Sequence, residues 1–278
     1  MKRLLTIQDL SCVGRCSLAV AIPVISAAGV ETVALPTALL SMHTAFSDPF
    51  IKPLDDALLP VAKAWKANSF TFDCVYTGYL ASKQQAKTVL EIAEMFKTED
   101  NLFIVDPVMA DNGVLYRGFD SDFVDVMRGI TAHADIILPN VTEAALLAGE
   151  EYKTEYTEDY LKKILEKLTE SGCTAIITGV SLKEGSTGVY GLNRKAAGFF
   201  AYQTTLLSET YHGTGDIFAS AFSAAVTKGQ SVHEASVTAC EFTAACIRNT
   251  EKCEDKRFGV NLEETLPLIS KLIENKTK

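Results

Sequence analysis

The segment His212-Gly213-Thr214-Gly215-Asp216 runs straight into the apolar stretch IFASAFSAAV, placing two glycines and a carboxylate at the mouth of a helix. The amides of a first helical turn can hold phosphate oxygens, and glycine lets the backbone come close to them. Asp216, on the same turn, can accept the proton of a hydroxyl that attacks that phosphate. A carboxylate that merely caps the helix is the competing reading.

Further polar residues fall where strands should end. In DPVMADNGVLY, Asp106 stands at a strand end with Pro107 stopping the strand. It can order water around a cation or cap local amides. In PNVTEA, Asn140 and Glu143 have the spacing of a capping box; Glu143 is either that cap or a carboxylate holding magnesium through water. Thr178 and Gly179 can meet phosphate with hydroxyl and backbone groups. In SMHTAF, His43 and Thr44 can hydrogen-bond a ring nitrogen or hydroxyl of a small substrate, or serve as ordinary turn residues. Tyr79 can close an aromatic wall or simply pack. Asp9 and Gly78 also fall at strand ends. There is no Walker sequence and no G-x-G-x-x-G, which disfavours nicotinamide chemistry. His133, His212 and His233 have no carboxylate at usable spacing, so covalent or zinc chemistry has little support.

Short apolar strands at 3–8, 30–36, 72–78, 102–106, 135–138 and 174–179 must position these groups. They alternate with helices at 17–29, 82–97, 157–170, 214–228, 231–248 and 262–275. Stretches 187–191 and 197–203 look like an antiparallel hairpin at a sheet edge. The pattern predicts an α/β fold in one domain, with a mostly parallel sheet covered by helices on both faces. Ligands in such sheets sit beyond the carboxyl ends of the strands.

The 278 residues are 47% hydrophobic, enough for a large core, and the formal charge of -9 argues against a nucleic-acid surface. No basic stripe with interleaved aromatics occurs. The start MKRLLTIQDLS lacks a secretory apolar run and no stretch is long enough to span a membrane, so a cytoplasmic protein is expected. Seven cysteines, an odd number, read as packed free thiols.

Six motifs in one order, LTIQDLSCVG, SMHTAF, TGYL, DPVMADNG, LPNVTEA and GTGD, resemble the pyridoxal/pyridoxamine kinase group of the ribokinase-like superfamily over essentially the whole chain. The related hydroxymethylpyrimidine kinases share DPVM, PN-x-x-E and GTGD but open with a glycine-rich segment absent here. The resemblance implies a ribokinase-like fold without a separate lid domain. It implies ATP-dependent phosphorylation of the 5'-hydroxymethyl group of pyridoxal, pyridoxamine or pyridoxine. By this likeness Asp216 is the catalytic base, and Gly213, Thr214 and Gly215 form the anion hole. Asp106, Asn140 and Glu143 organise magnesium, water and triphosphate, with Asp106 and Glu143 acting on the metal through water. Thr178 and Gly179 approach the nucleotide, while Asp9, His43, Thr44 and Tyr79 line the vitamer pocket. MgATP, a response to potassium and a homodimer are implied as well. Many such kinases carry Ser where this chain has Asp9, an acid suited to a protonated ring nitrogen or an amine. A hydroxymethylpyrimidine or sugar kinase and a non-catalytic vitamer-binding protein are the alternatives.

Overall fold

The computed structural model describes residues 1–196, 198–207, 211–253 and 255–274. The first half of the chain alternates β1 (Arg3–Ser11), α1 (Leu18–Ala27), β2 (Glu31–Leu40), β3 (Ile51–Pro53), α2 (Asp55–Ala67), β4 (Cys74–Thr77) and α3 (Lys83–Phe96). Then come β5 (Leu102–Val105), β6 (Ala110–Asp111), β7 (Val114–Leu115), α4 (Ser121–Thr131), β8 (Ile136–Ile137), α5 (Val141–Ala148) and α6 (Glu158–Leu168). The chain continues through β9 (Thr174–Val180), β10 (Ser186–Asn193), β11 (Gly198–Thr205), α7 (Thr214–Thr227), α8 (Val232–Thr250) and α9 (Leu266–Glu274).

Among the described residues, nine strands form one sheet in the order β11-β10-β9-β8-β5-β4-β1-β2-β3. The run from β9 to β2 is parallel throughout. β10 is antiparallel to both β9 and β11, the hairpin expected from sequence, and β3 closes the other edge antiparallel to β2. β6 and β7 form a separate two-stranded ribbon, and no lid domain is present among the described residues.

The strands read as continuous apolar runs because both faces are buried. Successive side chains point to opposite faces: Leu5, Val75, Phe103 and Val105 enter one apolar layer, whereas Leu4, Tyr76 and Ile104 enter the other. Helices α2 to α6 cover the first layer, and α1, α7, α8 and α9 cover the second.

The sequence pattern misses α2, β3, α4 and the two short strands β6 and β7. In α2 only Leu58 and Ala62 are buried, and Pro60 lies inside the helix, where proline reads as a breaker. The edge strand β3 is exposed at all three residues. α4 has a buried stripe of Phe123, Val124, Met127, Ile130 and Thr131. The last helix starts later than expected, at Leu266 with Pro267 in its first turn, as proline prefers. Residue 275 of the expected helix and residue 197 of the expected strand lie outside the described residues. No helix among the described residues is long and apolar enough to cross a membrane.

Candidate active site

Parallel strands in register bring their carboxyl ends to one edge of the sheet, and the polar residues singled out from sequence lie there. Asp9 is near the end of β1, Tyr79 follows β4, Asp106 follows β5, Asn140 follows β8, and Thr178 and Gly179 lie near the end of β9. Asn140 and Thr178 form a parallel bridge with each other.

Helix α7 opens onto this edge. Gly213 is its N-cap at φ 87°, and the first helical hydrogen bond runs from the Ile217 amide to the Gly213 carbonyl at 2.9 Å. The amides of Thr214, Gly215 and Asp216 therefore precede the helical ladder and face its mouth. A side chain at Gly213 is forbidden twice: by the left-handed φ, and because its Cβ would stand 2.1 Å from the Arg15 carbonyl. Around Gly215 there is open space. The rest of α7, Ile217 to Thr227, is buried, and its small Ala and Ser residues let it pack closely between the sheet and α8. A rigid, buried helix thus fixes a mouth that stays open to ligand.

Asp216 is half-buried. Burial pushes its carboxyl up to about 7, with the Ser17 backbone amide opposing, and the negative charge of Asp9 adds to the rise. Asp106 is 8% exposed, and burial together with the charges of Glu143 and Asp216 holds it well above the ordinary carboxylate range.

Glu143 is buried and makes the capping box read from its spacing. Its Oε2 accepts from the Asn140 amide at 2.9 Å, and Asn140 Oδ1 accepts from the Glu143 amide at 2.9 Å. Its Oε1 also accepts from the Met109 amide at 3.0 Å, and Asn140 Nδ2 donates to the Ala110 carbonyl at 2.8 Å. Glu143 is therefore both a helix cap and a clamp on the loop after Asp106. Burial raises it to about 8, against the amides of Asn140, Met109 and Ala110.

The two other sides of the site are less open than the sequence suggests. Asp9 is 4% exposed and accepts from Ser17 Oγ at 2.6 Å and Ser11 Oγ at 3.3 Å. Burial raises it, with those hydroxyls opposing. His43 is 2% exposed with both ring nitrogens engaged by the chain: Nδ1 accepts from the Ala45 amide at 3.2 Å, which makes Nε2 the donor to the Arg257 carbonyl at 2.9 Å. What it can offer a ligand is ring surface rather than a nitrogen. Its ring stacks on His212 at 5.1 Å and lies 4.6 Å from Phe46, and it presses on Gly14, where a Cβ would fall 1.9 Å from His43 Cδ2. Thr44 beside it is exposed. Tyr79 packs 5.8 Å from Phe119, and burial followed by the charge of Asp9 raises its phenol.

Sequence reasoning missed two contributors. Ser17 sits at φ 47° and ψ -130°, an uncommon conformation outside glycine, and reaches Asp9 with its hydroxyl. Nothing in the string RCSLAV signals that backbone geometry. The segment 257–260 closes over the same edge: the Arg15 amide donates to the Phe258 carbonyl at 2.8 Å and the Val260 amide to the His212 carbonyl at 3.2 Å. All seven cysteines are free, as expected, and burial, followed by the charge of Asp216, pushes the Cys16 thiol up to about 12, which leaves it unreactive.

Comparison with known proteins agrees with this geometry. A family model described as phosphomethylpyrimidine kinase matches residues 20–261. A Bacteroides thetaiotaomicron protein described as a candidate phosphomethylpyrimidine kinase is 37% identical in a rhombohedral crystal form (TM-score 0.92), covering 95% of this chain and 92% of that chain. Its orthorhombic form, with pyridoxal, is 35% identical (TM-score 0.90; 100% and 96% covered). Pyridoxal kinase from Lactobacillus plantarum is 33% identical with a TM-score of 0.91, and 99% of each chain is covered. The Aquifex aeolicus hydroxymethylpyrimidine/phosphomethylpyrimidine kinase is 30% identical, covering 66% of this chain and 70% of its own length. The chain belongs to the phosphomethylpyrimidine kinase family, ATP-dependent phosphotransferases of the ribokinase-like superfamily that include the pyridoxal/pyridoxine kinase branch.

Proposed function

We propose that this protein transfers the γ-phosphoryl group of ATP to the hydroxymethyl group of a small six-membered nitrogen heteroaromatic. The observation that carries this reading is Asp216 on the first turn of α7, beside amides that precede the helical ladder. The alcohol oxygen attacks the γ-phosphorus as the bond to the ADP oxygen breaks, and the alcohol proton passes to Asp216. The amides of Gly213, Thr214 and Gly215 meet the charge that gathers on the equatorial oxygens. A carboxyl near 7 is poised for that transfer at neutral pH.

The acidic groups fit a magnesium ion that comes with the nucleotide. Asp106 is held high by burial and by two neighbouring acids, a cost that a cation relieves. Glu143 already serves backbone amides through both oxygens, so it suits contact through water rather than direct ligation. Among the described residues no three His, Cys, Asp or Glu side chains gather as a metal cage, so phosphate oxygens and water must complete the shell. When bound, the ion neutralises triphosphate charge. Asn140, Thr178 and Gly179 lie along the same edge, where they would face the nucleotide, and Asp9, His43, Thr44 and Tyr79 flank the acceptor side.

Two acceptors fit this class. Hydroxymethylpyrimidine is backed more directly by the family description and by the description of the Bacteroides protein. A vitamin B6 vitamer is supported by the pyridoxal in the orthorhombic crystal form and by the full-length likeness to the Lactobacillus enzyme. A product-resolved phosphorylation panel with hydroxymethylpyrimidine, pyridoxal, pyridoxamine, pyridoxine and ribose, with and without magnesium and potassium, separates them. Phosphorylation of the heteroaromatic alcohols is expected. Vitamer binding without any MgATP-dependent product would overturn the kinase reading.

A further inference from the structure

Helix α3 buries one polar side chain on an otherwise apolar stripe. Val89, Ile92, Ala93 and Phe96 are buried on that stripe, and Gln85 joins them at 1% exposure. An amide sunk in a core is costly unless the chain gives it partners. Gln85 has one for each end of its amide. Its Oε1 accepts from the Ala81 amide at 2.7 Å, and its Nε2 donates to the Thr37 carbonyl at 2.9 Å.

Those partners lie beside the two residues placed on the acceptor side. Thr37 stands where the pairing of β1 with β2 slips. Gln8 pairs with Pro36 and Leu10 with Leu39, so β2 carries the extra residue, and Thr37 and Ala38 stand opposite Asp9. The Ala81 amide ends the turn that carries Tyr79. That turn is pinned at its start by the Gly78 amide, which donates to the Ile7 carbonyl at 3.2 Å, and at its end by Gln85. Between the two pins Leu80 is buried and Tyr79 is half-buried.

We propose that Gln85 is a positioning residue for the acceptor: by bridging the bulge of β2 and the turn after β4 it fixes where Tyr79 stands relative to Asp9, and so sets how tightly the alcohol is held. The proposal rests on the reading that Asp9 and Tyr79 flank the acceptor. Gln85 itself, buried beneath the turn, acts through Ala81 and Thr37.

The test is steady-state kinetics with hydroxymethylpyrimidine and pyridoxal on the parent, Gln85→Met, Tyr79→Ala and the pair. Methionine matches glutamine in length and can make neither bond. Gln85→Met is expected to raise KM for the alcohol roughly five- to twentyfold, with KM for ATP within about twofold and kcat within about threefold of the parent. In the Tyr79→Ala background the same change should cost no further KM, because both act at one turn. Gln85→Asn keeps an amide that is one methylene too short to span both partners. It carries the test if the methionine variant does not fold, and should raise the alcohol KM at least about threefold. A parent-like alcohol KM in a folded Gln85 variant, equal rises in both KM values, or effects that multiply in the pair would overturn the positioning role. Tyr79→Ala with a parent-like alcohol KM would overturn it together with the placing of the acceptor beside Tyr79. Absence of any MgATP-dependent product from the parent would overturn the kinase reading itself.

Discussion

Asp9 accepts the Ser17 hydroxyl at 2.6 Å, and its charge bears on Asp216. That charge raises Asp216, while the Ser17 backbone amide favours its ionised form. Burial outweighs the amide, and the carboxyl comes to about 7.

A pH dependence follows. Asp216 must be ionised to accept a proton, so kcat/KM for the alcohol should rise about tenfold per pH unit below pH ~7 and level off above it. Asp9→Asn removes a negative neighbour and should move that limb to lower pH. A pH–rate profile over the range from about 5.5 to 8.5 checks both, and a flat profile would contradict them.

The same group sets a stability trend of known sign. Its pKa is 3.8 when unperturbed and about 7 in the fold, so between those values the folded state binds more protons than the unfolded one. Its contribution to stability therefore falls as pH rises through that window. Asp216→Asn removes this penalty and should stabilise the ligand-free protein by about 1–2 kcal/mol above pH 7, with the gain fading toward pH 4. Thermal unfolding across pH reads the difference.

The two helix-mouth glycines should respond differently to alanine. Gly213→Ala meets both the positive φ and the Arg15 carbonyl, and is expected to lose about 1–3 kcal/mol of stability along with most activity. Gly215→Ala has open space around its Cβ and should unfold like the parent. Its methyl would project where phosphate is expected, so its effect should fall on turnover. Paired melting curves and kcat measurements separate the two cases.

Glu143 ties three amides together, so Glu143→Gln places an NH2 against a donor. A loss of about 1–3 kcal/mol in unfolding free energy is expected even without ligand, together with a higher KM for MgATP and little change in KM for the alcohol. Parent-like stability would show that the clamp on Met109 and Ala110 carries no weight.

Features whose causes are local were legible in the sequence. The capping box of Asn140 and Glu143 is a matter of spacing, the mouth of α7 a matter of two glycines before an apolar run, and the two-faced sheet a matter of uninterrupted apolar strands. Features created by distant chain were not. His43 is a plausible ring-nitrogen contact until Arg257 and Ala45 are seen to occupy both nitrogens. Ser17 gains its role only because the fold brings the Asp9 carboxylate within reach of its hydroxyl. The clamp of Glu143 on Met109 and Ala110 likewise joins two loops that no sequence window contains. Of the elements missed, β3 is exposed at all three residues and α2 carries a proline inside it, whereas α4 has a buried stripe that the sequence does display.

The central claim is that Asp216 takes the proton of the attacking alcohol. The most direct measurement is kcat for Asp216→Asn, with KM for ATP and alcohol determined alongside. A fall in kcat on the order of a hundred- to ten-thousandfold with little change in either KM is predicted. An asparagine variant that turns over as fast as the parent would contradict the account.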